Sequence, residues 1–360
     1  IKDTYFEPLL QMLIPDIPAP STSKLYFLKE VYYGFRPNTP NFTPNDYPDL
    51  TNKTAIITGC NTGIGKYALE LLYQKNCHVI GVVRTSEKGE QAKREILERN
   101  PESKGKIDVV GECDFLDLNK VVKAGKKIDE ILNQSDCNPL NIVIHNAGLT
   151  WLVAPNSAKS SEQGYESMYQ TNVLGPQLLQ HYIDPHLLKD DDKALKRLVW
   201  VSSAAHFFTP EPYGIYWDDP GFRETSVEKR PTGMNLYGQS KTYNIYQAQA
   251  WYDEHKEQAD KIGCVSVSCY PGNLSTDMSR AWWPPFVTAA KLVVWDGVYG
   301  AYSELYGALS PDLTIKDSGS YIVPFGEIHD PREDVKAGLT NGISTHIWKF
   351  CEEQISEYLP

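Results

Sequence analysis

The sequence predicts an α/β protein: one doubly wound parallel sheet with helices on both faces, behind a proline-rich N-terminal arm. Three observations carry that expectation. From Leu50 onward, short β-branched runs alternate with amphipathic helical patterns. A glycine-rich stretch, TGCNTGIG, joins the first such run to the first helix. Eight of the 24 prolines fall within residues 1–48, a region that shares none of the alternation.

Proline removes backbone donors and blocks regular helix, so residues 1–48 read as an extended arm with short helical pieces. Its apolar patches are YFEPLLQMLIP and KLYFLKEVYYGF. Two readings follow: the arm packs on the body, or it lies on a membrane surface. The sequence opens at Ile1 rather than Met, which leaves an upstream anchor open. Residues 49–360 form the α/β domain. TAIITG is a buried strand and GKYALELLYQKN a helix. HVIGVVR is the second strand and SEKGEQAKREILERN a charged amphipathic helix. IDVVGECDF is the third strand, LNKVVKAGKKIDEILNQ a helix, LNIVIHNAG the fourth strand, RLVWVSSAA the fifth and GCVSVSCYPG the sixth. Alternating strands and helices imply crossover connections and hence a parallel sheet. THIWKFCEEQISEYL closes the chain as a helix.

Bulk properties narrow the function. The 360 residues are 41% hydrophobic and 22% charged, ordinary for a globular protein. A formal charge of −11 argues against non-specific nucleic-acid binding. The seven cysteines form no C-x-x-C pair and read as reduced thiols on the cytosolic side. The histidines show no H-x-x-x-H or H-E-x-x-H spacing, so no metal site is expected. No apolar run reaches the ~18 residues of a membrane-spanning helix.

The loop at 58–65 lets the backbone approach a pyrophosphate, and the following helix N-terminus offers unpaired N–H groups. Its candidate cofactor contacts are Gly59, Asn61, Thr62, Gly63, Ile64 and Gly65. The tip of the second strand reads VVRTSEKG, with no acid to bind two ribose hydroxyls. Arg84 there suits a 2′-phosphate, so the cofactor is expected to be NADP(H). The alternative leaves Arg84 as a solvated surface residue.

The chemical end carries further signals, all at strand C-termini or in adjoining helices. HNAG ends the fourth strand, QTNVLG lies in a predicted helix, WVSSAAH ends the fifth strand and YPGNLST the sixth. NLYGQSKTYNI sets Tyr237 and Lys241 four apart, on one helix face. Together the chain resembles the short-chain dehydrogenase/reductase family, a Rossmann-type fold. The motifs are T-G-x-x-x-G-I-G at 58–65, N-A-G at 146–148, Asn172, Ser203, Y-x-x-x-K at 237–241 and P-G-x-x-x-T at 271–276. CNTGIGK, SSAAH, YGQSK, GVYGAYSELYGALSPDL and SGSYIVPFG look most like its retinol-dehydrogenase-like branch.

The resemblance implies roles for matched positions. Tyr237 would be the acid in reduction and the base in oxidation. Lys241 would lower the phenol pKa and bind the nicotinamide ribose. Ser203, rather than its neighbour Ser202, would hydrogen-bond the substrate oxygen. Asn172 would hold a water linking Lys241 to solvent. Asp114 would contact adenine. Asn146, Ala147 and Gly148 would line the ribose and ring region, with Pro271, Gly272 and Thr276 at the carboxamide. Bringing a tyrosine from ~10 to about 7 needs roughly 4 kcal/mol. The nearby ammonium, a dry site and the oxidised nicotinamide's charge are the expected sources.

Two departures stand out. Ser203 and Tyr237 are separated by 33 residues, an aromatic and proline-rich insertion at 204–236 that reads either as a lid or as a loop folded on the body. His145 stands where many relatives carry Asn, with little effect expected. Residues 277–300 read as a substrate lid. Its cluster of Trp282, Trp283, Pro284, Pro285 and Phe286 suggests a lipophilic alcohol or carbonyl substrate and contact with a membrane surface, equally weighed against ordinary core or a subunit interface. The resulting expectation is an NADP(H)-dependent oxidoreductase of lipophilic alcohols and carbonyls, on the cytoplasmic side at endoplasmic reticulum or lipid-droplet membranes, with a homodimer as one assembly. The alternatives are an NAD-dependent dehydrogenase and a non-catalytic dinucleotide-binding scaffold.

Overall fold

The computed structural model describes residues 17–35, 37–150, 160–192, 195–275 and 295–360. Its centre is an eight-stranded sheet. In chain order the strands are β1 (Thr54–Thr58), β2 (His78–Val82), β3 (Lys106–Val110), β4 (Leu140–His145), β5 (Lys196–Val201), β6 (Cys264–Cys269), β9 (Tyr321–Val323) and β10 (Glu327–His329). Between β6 and β9, β7 (Leu274–Ser275) and β8 (Trp295–Asp296) form a separate small parallel pair. The large sheet runs β3-β2-β1-β4-β5-β6-β9-β10, parallel throughout except for antiparallel β10. The order reverses between β1 and β4. Such a switch point opens a crevice at the carboxyl ends of the strands, where doubly wound sheets take their ligands.

The apolar runs become strands because both faces of the sheet are covered. Every residue of β1, β2, β4, β5 and β6 is buried, whereas edge strand β3 is only partly so. One face packs α2 (Gly63–Gln74), α3 (Ser86–Arg99) and α9 (Gly297–Leu309) around Ala55, Ile57, Ile142 and Ile144. The other packs α4 (Leu118–Leu132), α6 (Gly175–Leu187), α7 (Gly233–Glu254) and α11 (Ile343–Ile355) around Ile56, Val143 and Leu198. Alternate residues of one strand thus serve two cores. Helices α5 (Ser167–Tyr169), α8 (Lys256–Ile262) and α10 (Glu333–Thr340) complete the domain.

The structure adds detail that the sequence reading lacked. QTNVLG is not plain α-helix: Gln170–Leu174 is a π segment between α5 and α6. Strands β9 and β10 extend the sheet beyond the sixth strand. In the arm, KLYFLKEVYYGF forms one such helical piece, α1 (Lys24–Phe35). The insertion at 204–236 lies on the body. Tyr213, Ile215, Trp217 and Phe222 are buried, and Arg332 donates to the Phe207, Thr209 and Pro210 carbonyls while pairing with Asp334.

Candidate active site

The glycine loop sits at the switch point. Gly59 has φ +68°, and a Cβ there would lie 2.8 Å from the Ala147 Cα, so only glycine fits. Asn146 Nδ2 donates to the Thr58 and Gly59 carbonyls at 2.8 and 3.1 Å. The Ala147 amide donates to Thr58 Oγ1 at 3.0 Å. The N-A-G stretch therefore clamps the loop. Gly63 has φ +57° and nothing within 4 Å of its Cβ position, which leaves a cradle over the start of α2. Thr62, exposed at the N-cap, makes no side-chain capping bond. The first-turn amides of α2 thus stay unspent, as an anion would require. Asn61 is half-buried beside them, and Ile64 leans on α9, 3.1 Å from a Cβ placed at Gly300. These residues fit the pyrophosphate of a dinucleotide.

At the adenosine end Arg84 is exposed and Asp114 Oδ1 accepts from the Leu116 amide at 3.1 Å. Here the structure brings in a residue that sequence reasoning missed. The amide and hydroxyl of Ser86 both donate to Glu112 Oε1, at 3.3 and 3.0 Å. Glu112 holds φ +59°, an uncommon conformation for a side-chain-bearing residue. The sequence signal was an acid two residues past β3, which becomes a neighbour of β2 only once those strands pair.

Helix α7 starts after Thr232 and carries Tyr237 and Lys241, which are 9% and 4% exposed. The Lys241 Nζ lies 5.7 Å from the Tyr237 ring centroid. Burial pushes the phenol up to about 12, opposed by a hydrogen bond from Ser203. Ser203 Oγ also accepts from the Ala205 amide at 3.1 Å. Lys241 Nζ donates to the Val201 carbonyl at 2.7 Å and to Asn244 Oδ1 at 3.1 Å. Burial pushes its ammonium down to about 8, with Cys269 and Glu304 opposing. In the chain itself the phenol thus moves up rather than toward 7. Desolvation dominates it, and the lysine directs its protons at Val201 and Asn244.

Asn172 is 1% exposed and occupied on every side. Its Oδ1 accepts from the Leu149 amide at 2.7 Å, and its Nδ2 donates to Leu149 O and Ser240 Oγ, each at 2.9 Å. Its carbonyl, freed by the π segment, accepts from Asn244 Nδ2 at 2.8 Å. Asn244 therefore bridges Asn172 and Lys241. Ser202 Oγ donates to the Lys241 carbonyl at 2.7 Å and faces away from the phenol's partner. Gly148 closes the floor: a Cβ there would lie 3.5 Å from the Lys241 Nζ.

Around this group, Pro271 O accepts from Ser303 Oγ at 3.4 Å, and Gly272 takes φ +112°. Thr276, the Trp282–Phe286 cluster and most of the 277–300 lid lie outside the described residues, as do residues 1–16 of the arm. His145 is stacked on Trp200 and shares a 2.8 Å hydrogen bond with Gln180 Oε1; burial brings it down to about 4. His206 accepts from the Arg332 amide at Nε2, so its Nδ1 carries the proton donated to the Ser203 carbonyl at 2.8 Å. Helix α1 reaches the same place. Phe27 lies 4.8 Å from Phe207, and a Cβ at Gly34 would come within 2.6 Å of Tyr270 Oη and Asn273 Nδ2. Among the described residues no cluster of potential metal ligands occurs, and no helix is long and apolar enough to cross a membrane.

Known proteins resemble this chain in sequence and fold. A short chain dehydrogenase family model matches residues 53–216. A short-chain dehydrogenase/reductase of Phomopsis amygdali is 31% identical over 345 residues, covering 92% of this chain and 98% of its own. The bet4 short-chain dehydrogenase/reductase of Neocamarosporium betae is 31% identical over 334 residues, covering 90% and 92%. Among solved structures, an uncharacterised protein of Mycobacterium paratuberculosis superposes with a TM-score of 0.63 at 23% identity, over 88% of this chain and 98% of its own. A Shigella flexneri short chain dehydrogenase complexed with NADP gives 0.54 at 22%, over 76% and 97%. With near-complete coverage at that identity, the chain belongs to the short-chain dehydrogenase/reductase family, whose oxidoreductases bind a nicotinamide dinucleotide.

Proposed function

We propose that the chain interconverts a lipophilic alcohol and its aldehyde or ketone, using NADP(H), with Tyr237 as the acid–base group. The observation that carries the reading is Tyr237 and Lys241 buried one helical turn apart on α7, with the Ser203 hydroxyl acting on the phenol and the Lys241 Nζ against Gly148 of the stretch that clamps the glycine loop. The bound nicotinamide supplies or accepts the hydride. Ser203 and Tyr237 converge on the substrate oxygen. In reduction the phenol gives its proton to the developing alkoxide; in oxidation the phenolate takes it back. A phenol at about 12 is protonated at neutral pH, the form that reduction consumes. Lys241 stabilises the phenolate left behind and would hold the ribose, and Asn244 ties it to the π segment.

Arg84 supports NADP(H), and one family member of the same fold is described in complex with NADP. NAD(H) is a second reading, favoured by the Glu112 carboxylate against Ser86, which would oppose a 2′-phosphate. The apolar exterior of α1 supports delivery of substrate from a membrane surface. Leu25, Leu28, Tyr32 and Phe35 are 41–62% exposed at helical spacing, on a helix whose inner face abuts Phe207.

Tyr237→Phe tests the central role. Turnover of a lipophilic carbonyl should fall by about a thousandfold or more, with dinucleotide affinity, followed by nicotinamide fluorescence, nearly unchanged. Retained turnover would remove Tyr237 from the mechanism.

A further inference from the structure

We propose that Gln247 and Gln177 are positioning residues for this site: with Asn244 they form a buried ladder of amides, anchored on Glu352, that holds an oxygen rather than a nitrogen against the Lys241 ammonium. The inference rests on the role given to Lys241 above.

The ladder starts at the lysine. Lys241 Nζ donates to Asn244 Oδ1 at 3.1 Å. Asn244 Nδ2 donates to Gln247 Oε1, one turn further along α7, at 2.9 Å. Gln247 Nε2 donates to Gln177 Oε1 on α6 at 3.1 Å. Gln177 Nε2 donates in turn to Glu352 Oε1 on α11. His181 Nε2 meets the same oxygen at 2.8 Å, and this last pair is partly exposed. The three amides between it and the lysine are buried.

The direction of the ladder is set from both ends. A carboxylate only accepts and an ammonium only donates. Each amide must therefore turn its nitrogen towards Glu352 and its oxygen towards Lys241. Backbone carbonyls enforce the same choice amide by amide. Asn244 Nδ2 also donates to Asn172 O at 2.8 Å, Gln247 Nε2 to Val173 O at 3.1 Å and Gln177 Nε2 to Trp348 O at 3.3 Å. The first two carbonyls belong to the π segment. Turning Asn244 over would set N–H groups against the ammonium and an oxygen against two acceptors, and in a buried site such unpaired groups are costly. An ammonium carries three protons. Val201 O and Asn244 Oδ1 take two of them, so the ladder leaves one for the cofactor ribose.

The test is a pH titration of the lysine Cε resonances in protein carrying 13C-labelled lysine, with Lys241→Met assigning the signal. Tyr237 on α7, Cys269 of β6 and Glu304 of α9 are the titratable groups around Lys241, and the variants leave all three in place. Gln247→Met keeps the bulk of the side chain and removes its lock on Asn244. It should lower the Lys241 titration by about half a pH unit or more, because an amine that loses a fixed acceptor holds its proton less well. The alkaline limb of kcat/KM for a soluble carbonyl should move the same way. Gln177→Met, one amide further off, should act in the same direction and is read in parallel, so one folded variant suffices. A lower thermal midpoint with a titration that coincides with the parent's would reduce the ladder to a structural role and overturn the proposal, as would failure of both variants to fold. Intact turnover in Tyr237→Phe would sink the mechanism above and leave the lysine titration as a separate result.

Discussion

Burial governs the reactive residues more than proximity does. Tyr237 and Lys241 share a helix face, yet the phenol is set by desolvation and by Ser203, while the lysine is desolvated and held by Val201 and Asn244. The cofactor end is decided by side chains too. Arg84→Asp should shift the NADPH-to-NADH ratio of kcat/KM by about tenfold or more towards NADH, since a charge-assisted contact to phosphate is worth roughly 1.5–3 kcal/mol. Glu112→Gln should move the ratio the other way by freeing Ser86. If neither variant changes the ratio, the 2′ position is read elsewhere. The family resemblance pointed to Tyr237, Lys241 and Ser203, and the structure sets the first two on one face of α7 with Ser203 acting on the phenol. Glu112 was not legible in the sequence, because it matters only through a strand distant in the chain.

Elements carry the next layer. The buried strands of a parallel sheet read as continuous apolar runs, so β1, β2, β4, β5 and β6 were visible in the sequence. Strands β9 and β10 have three residues each, too few for a period to show. The π segment leaves no pattern either; it exposes a carbonyl that only Asn244 reveals. Helix α1 is the element whose placement matters most for function, because its C-terminal end meets the loop after β6. Gly34→Ala should destabilise that docking by about 1–3 kcal/mol through overpacking, seen as a lower thermal midpoint. An unchanged midpoint would mean that α1 sits less closely on Tyr270 and Asn273. Its outer face makes a separate prediction. Leu25→Glu with Leu28→Glu should abolish most co-sedimentation with anionic lipid vesicles while sparing turnover of a soluble carbonyl. Equal sedimentation of parent and double variant would remove α1 from any membrane role.

Taken as one molecule, the chain buries ionisable groups of both kinds. Burial raises Glu30 and Glu166 to about 7 and Glu304 to about 8, from an ordinary 4.5. It brings His145 and His206 down to about 4 from 6.5. A raised carboxyl contributes stability that is present in full at low pH and is lost as pH climbs through its folded value. A lowered histidine contributes stability that is lost only as pH falls below 6.5. Between pH 8 and 6.5 the raised carboxyls outweigh the lowered Lys241 and histidines, so acidification over that window should stabilise the fold by about 2 kcal/mol at ~1.4 kcal/mol per pH unit. Urea midpoints at the two pH values check this, and a lower midpoint at pH 6.5 would contradict it. The most direct test of the whole account titrates the purified protein with NADPH and NADH by nicotinamide fluorescence, then adds a panel of aldehydes, ketones and long-chain or polycyclic carbonyls. The account predicts tighter binding of NADPH and its oxidation by a lipophilic carbonyl. Binding of neither dinucleotide, or binding without turnover across the panel, would contradict it.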